Sequence, residues 1–149
     1  MKVGEICSRD VYAVEPGEPL ASVAGEMHTR NIGSAVIVRN DGTRRVPVGV
    51  VTDRDALRGQ FDRKADLFCL SVEDVMSQHP LVVHEDCELA DAIELMSGRA
   101  VRRAPVVDKA GNLVGIVTFD DLLPVLAAEM TAIARLISAQ VSKTERVRR

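Results

Sequence analysis

A chain of 149 residues has room for one ordinary domain or for two small units that share a core. Apolar residues make up 46% of it and aromatics 3%, with no Trp, so the interior is built from Val, Leu, Ile, Ala and Met; this favours aliphatic α/β layer packing over an aromatic-rich recognition surface. The net charge of −3 is uneven: Lys143, Arg146, Arg148 and Arg149 against Glu145 make the last seven residues +3 and leave −6 on the rest. An acidic body argues against nonspecific nucleic-acid binding, and the basic end reads as a solvated helix terminus.

Cys7, Cys69 and Cys87 form no CxxC pair and have no His at zinc spacing, so neither a disulfide framework nor a structural metal is indicated and a reducing, cytoplasmic location is expected. His28, His79 and His84 are scattered without a partner at ligand spacing. An uninterrupted apolar run of 18 residues is lacking, as is a charged-then-apolar leader, so the expectation is a soluble chain with no membrane contact.

Shifting the sequence by 69 residues places Val3 on Val72, Ser8 on Ser77, Val14 on Val83, Leu20 on Leu89, Met27 on Met96, Ala35 on Ala104 and Val38 on Val107, which is an internal duplication. Beyond Gly42 and Gly111 the offset falls to 66, because the first copy carries three extra residues around Thr43-Arg44-Arg45. They lie between two strand-like runs, so they lengthen a turn and leave the core register intact.

In chain order, each copy opens with a short extended run, Val11 to Val14 or Leu81 to Val83. A helix follows, in which Leu20, Val23, Ala24 and Met27, or Leu89, Ala92, Ile93 and Met96, recur at i, i+3, i+4, i+7. Then come two strands, Ala35–Val38 with Val48–Val51 and Ala104–Val107 with Leu113–Val117, each pair joined by a Gly-containing turn. A second helix starts at Thr52 or Thr118. The predicted fold is α/β (α+β): two β-α-β-β-α repeats packed with pseudo-twofold symmetry, plus a C-terminal helix. The expected division is 1–60 for the first repeat, 61–71 for a linker, 72–127 for the second repeat and 128–149 for a helical tail. Pro124 is expected to start a new helix or kink the old one. Past it, Leu126, Met130, Ile133, Ile137 and Val141 form an apolar stripe that must pack on something, either another subunit or its own domain.

The best-matched stretch is Gly49-Val50-Val51-Thr52-Asp53-Arg54-Asp55 against Gly115-Ile116-Val117-Thr118-Phe119-Asp120-Asp121. Its T-x-x-D core has two readings. As a capping box, hydroxyl and carboxylate satisfy the first turn's free N–H groups; Asp is short for that reach, which would leave the carboxylates free for a ligand. As a binding corner, the carboxylate accepts two hydrogen bonds from a vicinal diol while the helix N-terminus favours anionic groups, requirements that a ribose with its phosphates meets.

The duplicated β-α-β-β-α order and the paired T-x-x-D motifs, over roughly residues 1 to 123, resemble CBS (cystathionine β-synthase-type) domains in a tandem Bateman pair. The resemblance implies two clefts between the repeats that take AMP, ADP, ATP or S-adenosylmethionine. It assigns the ribose to Thr52 with Asp55 and to Thr118 with Asp121, and the adenine to Tyr12 and Ile32 or to Leu81 and Val101. It also places basic groups for phosphate at Arg102 and Arg103, with Arg54 inside the first T-x-x-D. Gly33 and Ser34 stand where the second repeat has its arginine pair, so unequal clefts are expected. Cys7 is a further candidate to line a pocket.

The function implied is a regulatory nucleotide sensor, with a homodimer and a separate effector protein as partners. The alternative is a ligand-independent dimerisation scaffold in which T-x-x-D serves only as a cap. No catalysis is expected, since nucleophile–base pairs, metal sets and Gly-rich phosphate loops are lacking.

Overall fold

The computed structural model describes the backbone of residues 1–148; Arg149 and the side chains of Glu145, Arg146 and Arg148, most of the basic tail, lie outside the described residues. The first repeat comprises α1 (Val3–Ile6), β1 (Ala13–Val14), α2 (Leu20–Arg30), β2 (Ser34–Asn40), β3 (Arg45–Thr52) and α3 (Asp53–Arg63). A 3-10 turn over Leu67–Cys69 leads to the second: α4 (Val72–Val75), β4 (Ser77–Gln78), β5 (Val83–His84), α5 (Leu89–Gly98), β6 (Arg103–Val107), β7 (Leu113–Thr118) and α6 (Phe119–Arg148).

In each repeat a short strand pairs parallel with the next, β1 with β2 and β5 with β6, across a helix; that strand pairs antiparallel with its hairpin partner, β3 or β7. The helices form where the apolar spacing put them, burying Leu20, Val23 and Met27 on one stripe and Leu89, Ala92 and Met96 on the other. The three extra residues lengthen the hairpin strands and not the turn, contrary to expectation: β2 and β3 continue through the pairs Arg39↔Val46 and Asn40↔Arg45, whereas β6 and β7 end at Val107↔Leu113.

Strand β2 is buried on both faces. Ala35 and Ile37 join Leu20, Val23 and Met27 in one core, whereas Val36 and Val38 meet Leu113 of the other repeat. With side chains alternating across a strand, an unbroken apolar run marks a sheet covered on both sides, here by its own helices and by the other repeat.

The openings of the repeats are exchanged. Val3 and Cys7 lie in the second repeat's core with Val83, Leu89 and Val117, while Leu70 and Val72 lie in the first repeat's core with Val14, Leu20 and Val51. The backbone follows suit. Val3 N–H donates to Cys87 O at 2.9 Å and Ser8 exchanges two 2.9 Å bonds with Ile116, whereas Val72 N–H donates to Glu18 O at 3.0 Å and β4 pairs with β3 at Val50↔Ser77. The motif glycines stand where these segments cross. A Cβ on Gly115 would lie 2.8 Å from both Cys7 Sγ and Ser8 O, and one on Gly49 would collide with Met76 Sδ. The G of the repeated motif is therefore set by close approach of the exchanged segment.

The last helix is longer than the expected tail. Pro124 does not start it: α6 runs from Phe119 to Arg148 with Pro124 inside, where the ring removes the bond to the Asp120 carbonyl. Phe119–Thr144 is by length and composition alone sufficient to cross a membrane and is almost wholly unburied. Asp120, Asp121, Glu129, Arg135 and Lys143 interrupt it, so no uninterrupted apolar run of 18 residues occurs there.

Candidate functional site

The capping box closes in full in the first repeat and by its carboxylate half in the second. Thr52 N–H donates to Asp55 Oδ2 at 2.9 Å and Asp55 N–H donates to the Thr52 hydroxyl at 3.1 Å. In the second repeat Thr118 N–H and Oγ1–H both donate to Asp121 Oδ2, at 2.8 and 3.0 Å. Asp is therefore long enough for the reach back, contrary to the sequence argument. Each box uses only Oδ2; Oδ1 of Asp55 and of Asp121 accepts no hydrogen bond among the described residues. A carboxylate has about four lone-pair sites, so structural and ligand-binding roles are compatible.

Two clefts of about 470 and 430 Å³ lie between the repeats, within the roughly 300–1,000 Å³ usual for small-molecule sites. Each mixes the repeats. The first cleft sets Tyr12, Ile32 and Ser34 of the first repeat against Thr118 and Asp120 of the second. The second sets Leu81 and Val101 of the second repeat against Thr52, Arg54 and Asp55 of the first. Asp121 is not among the lining residues of the first cleft; its neighbour Asp120 is.

Arg102 and Arg103 line both clefts. The expected asymmetry therefore has a different origin, because the pair sits where the clefts meet and serves each of them. The difference lies in what accompanies it. The second cleft adds Arg54 to the pair against Asp53 and Asp55, whereas the first adds only Asp10 and Asp120. None of the three arginines forms a salt bridge among the described residues, and Arg102 stacks over Phe119 instead, 5.6 Å from the ring centroid. Unpaired guanidinium groups on a concave surface favour a multivalent anion such as phosphate.

Tyr12 is half-buried in the first cleft with Arg30 stacked 4.6 Å from its ring centroid. Burial, with Glu18 and Glu26 adding to it, raises the phenol above its usual pKa, so it stays protonated and able to donate near neutrality. Cys7, a pocket candidate by position, is instead buried in the second repeat's core. Desolvation raises its thiol, which leaves it protonated and a poor nucleophile. Among the described residues, no three His, Cys, Asp or Glu side chains gather in a metal-binding arrangement.

Sequence reasoning passed over Ser8 and Asp10 at the first cleft and Ser77 and Pro80 at the second. The in-register match of Ser8 with Ser77 was a signal for them, but its meaning depends on the exchanged segments.

Comparison with known proteins converges on one family. The model of the CBS domain matches twice, at residues 3–62 and 72–128. An uncharacterised protein of Methanopyrus kandleri is 37% identical over 125 residues, 84% of this chain and 62% of the relative. The inosine-5'-monophosphate dehydrogenase of Thermoplasma acidophilum is 34% identical over 118 residues, but this chain spans only 22% of that enzyme. Among solved structures, a CBS domain protein of T. acidophilum superposes with a TM-score of 0.75 at 23% identity, covering 83% of this chain and 68% of that one, a likeness of fold. A CBS domain protein of Pyrobaculum aerophilum complexed with AMP gives a TM-score of 0.72 at 28% identity, covering 82% of this chain and 90% of that one. The duplicated motif, the exchanged sheet edges and the two matched segments together place the chain in the CBS-domain family, as a tandem pair.

Proposed function

We propose that this CBS pair is a regulatory module that binds an adenosine nucleotide between its repeats, with AMP the first candidate and the second cleft the stronger site. The observation that carries this reading is the convergence, on one cavity, of the Thr52–Asp55 corner, the apolar Leu81 and Val101, and Arg54, Arg102 and Arg103. Asp55 Oδ1 is placed to accept from ribose hydroxyls, the two aliphatic side chains offer an adenine-sized apolar contact, and three guanidinium groups supply the phosphate partner. The AMP complex of the P. aerophilum relative supports the ligand class. Ligand in both clefts ties the repeats to each other, and the signal passes to an effector domain or partner.

Thermal shift and calorimetry with AMP, ADP, ATP and S-adenosylmethionine test this. A ligand at a hundred times its Kd adds about 2.7 kcal/mol to the folded state, a rise of several degrees for a chain of this size. Asp55→Asn, whose amide oxygen can still accept from Thr52 N–H, is expected to weaken binding at least tenfold while leaving the unliganded Tm within about 2 °C. Absence of any shift at millimolar concentrations of all four compounds would overturn the reading.

A further inference from the structure

From Leu126 to Thr144 every side chain of α6 is exposed, including Met130, Ile133, Leu136, Ile137 and Val141 at 71, 59, 62, 57 and 54%. An apolar face this long standing in water marks an interaction surface. Its spacing identifies the kind. Leu126, Met130, Ile133, Ile137, Gln140, Thr144 and Val147 alternate in steps of four and three, the seam of a two-stranded coiled coil.

The charges identify the occupant. Between Leu126 and Thr144 the charged residues are Glu129, Arg135 and Lys143. Arg135 falls on the side of the helix away from the seam. Glu129 and Lys143 both flank the seam on the same edge, fourteen residues or two heptads apart. In an antiparallel pair with Ile133 opposite the partner's Ile137, Glu129 meets the partner's Lys143 and Lys143 meets the partner's Glu129, while the two copies of Leu136 close the centre. A parallel pair sets Glu129 against the partner's Ala134 and gives it no cation. Neither Glu129 nor Lys143 has a salt-bridge partner among the described residues. A bilayer fits the pattern less well, because Arg135 would carry a full charge to the middle of the span.

We propose that α6 pairs with α6 of a second copy of this chain, antiparallel and in the register that joins Glu129 to the partner's Lys143 twice. The tail is thus a self-recognition device built on its own face, separate from the clefts and independent of nucleotide.

The test uses the full chain. Sedimentation is expected to give a dimer whose Kd rises about tenfold in Glu129→Lys and in Lys143→Glu and returns to within about threefold of wild type when both are combined. In a Cys69→Ser, Cys87→Ser background, oxidation is expected to cross-link Leu136→Cys to itself and to leave Leu126→Cys uncross-linked, since the antiparallel register holds the two copies of position 126 about 27 Å apart along the axis. A monomeric wild type, equal cross-linking at both positions, or a double reversal no tighter than the singles would overturn the proposal. Flotation of the chain with phosphatidylcholine–phosphatidylglycerol vesicles, unaffected by the reversals, would overturn it in favour of a membrane surface.

Discussion

Arg102 and Phe119 are tied twice: the Phe119 N–H donates to the Arg102 carbonyl at 2.8 Å, and the Arg102 guanidinium lies over the Phe119 ring. The first repeat has Gly33 and Asp53 at these places, so the tie exists on one side only. Arg102 lines the second cleft while stacked on the ring, and drawing its guanidinium fully onto a phosphate there would give up about 0.5–1 kcal/mol of that stacking. Phe119→Leu is therefore expected to tighten AMP binding in that cleft roughly two- to fivefold. Calorimetric titration checks this, and an unchanged or weaker Kd would show that the ring does not hold the arginine back.

The motif glycines give a second prediction. A Cβ at position 115 meets a backbone oxygen, Ser8 O, as well as Cys7 Sγ, neither of which retreats without opening the Ser8–Ile116 pairing. Gly115→Ala is expected to cost about 2–3 kcal/mol, a fall in Tm of about 4–10 °C. Gly49→Ala should cost less, because its nearest obstacle is the flexible end of Met76. Gly17→Ala, with nothing within 4 Å, is the neutral control. Denaturation of the three variants side by side decides it.

Ala100 follows α5 in the left-handed region, φ +52°, where its counterpart Asn31 stands at φ +53°. Asn tolerates that conformation and Gly does so without strain, whereas Ala has neither advantage. Ala100→Gly is expected to stabilise the protein by about 0.5–1 kcal/mol, the relief of strain exceeding the added backbone entropy of the unfolded chain. A chemical denaturation midpoint that falls would contradict this.

Acid sensitivity supplies a fourth prediction. Asp74 accepts from Ser71 N–H at 2.9 Å, and that bond, with the Ser71 hydroxyl and Arg63 nearby, holds its carboxyl below the ordinary 3.8. A carboxyl depressed on folding adds stability that is fully present above its unfolded value and is lost as pH falls below 3.8 through the folded one. The stability difference between wild type and Asp74→Asn should thus be constant from pH 7 to about 5 and shrink below 4. Asp41, held down by Arg44, titrates in the same range, so this difference and not the absolute stability is the quantity to measure. A difference that stays level to pH 2.5 would show the cap to be charge-independent.

Much of the architecture was legible because the two periodicities are clean. Leu20, Val23 and Met27 announced α2, and the duplicated T-x-x-D announced where α3 and α6 begin. What the sequence could not disclose was which repeat each piece serves. Val3 and Val72 match in register, yet each lies in the opposite core, and sequence self-similarity is blind to that exchange. For the same reason the sequence does not show that the arginine pair of the second repeat lines both clefts, or that Asp120 lines the first beside Thr118. These features rest on contacts between distant segments, which local pattern does not encode. The reach of Asp55 back to Thr52 was misjudged from side-chain length alone; the β-region backbone at Thr52 brings the groups together.

Because each half lends its opening residues to the other half's interior, the covalent connection over residues 64–69 is not all that holds the halves together. Made as separate polypeptides, 1–64 and 65–149 would each present an apolar groove where the other's Val72 or Val3 belongs. Such fragments are expected to recognise one another by insertion, so that a chain nicked in the connection would run as a non-covalent complex in gel filtration and not as two folded domains.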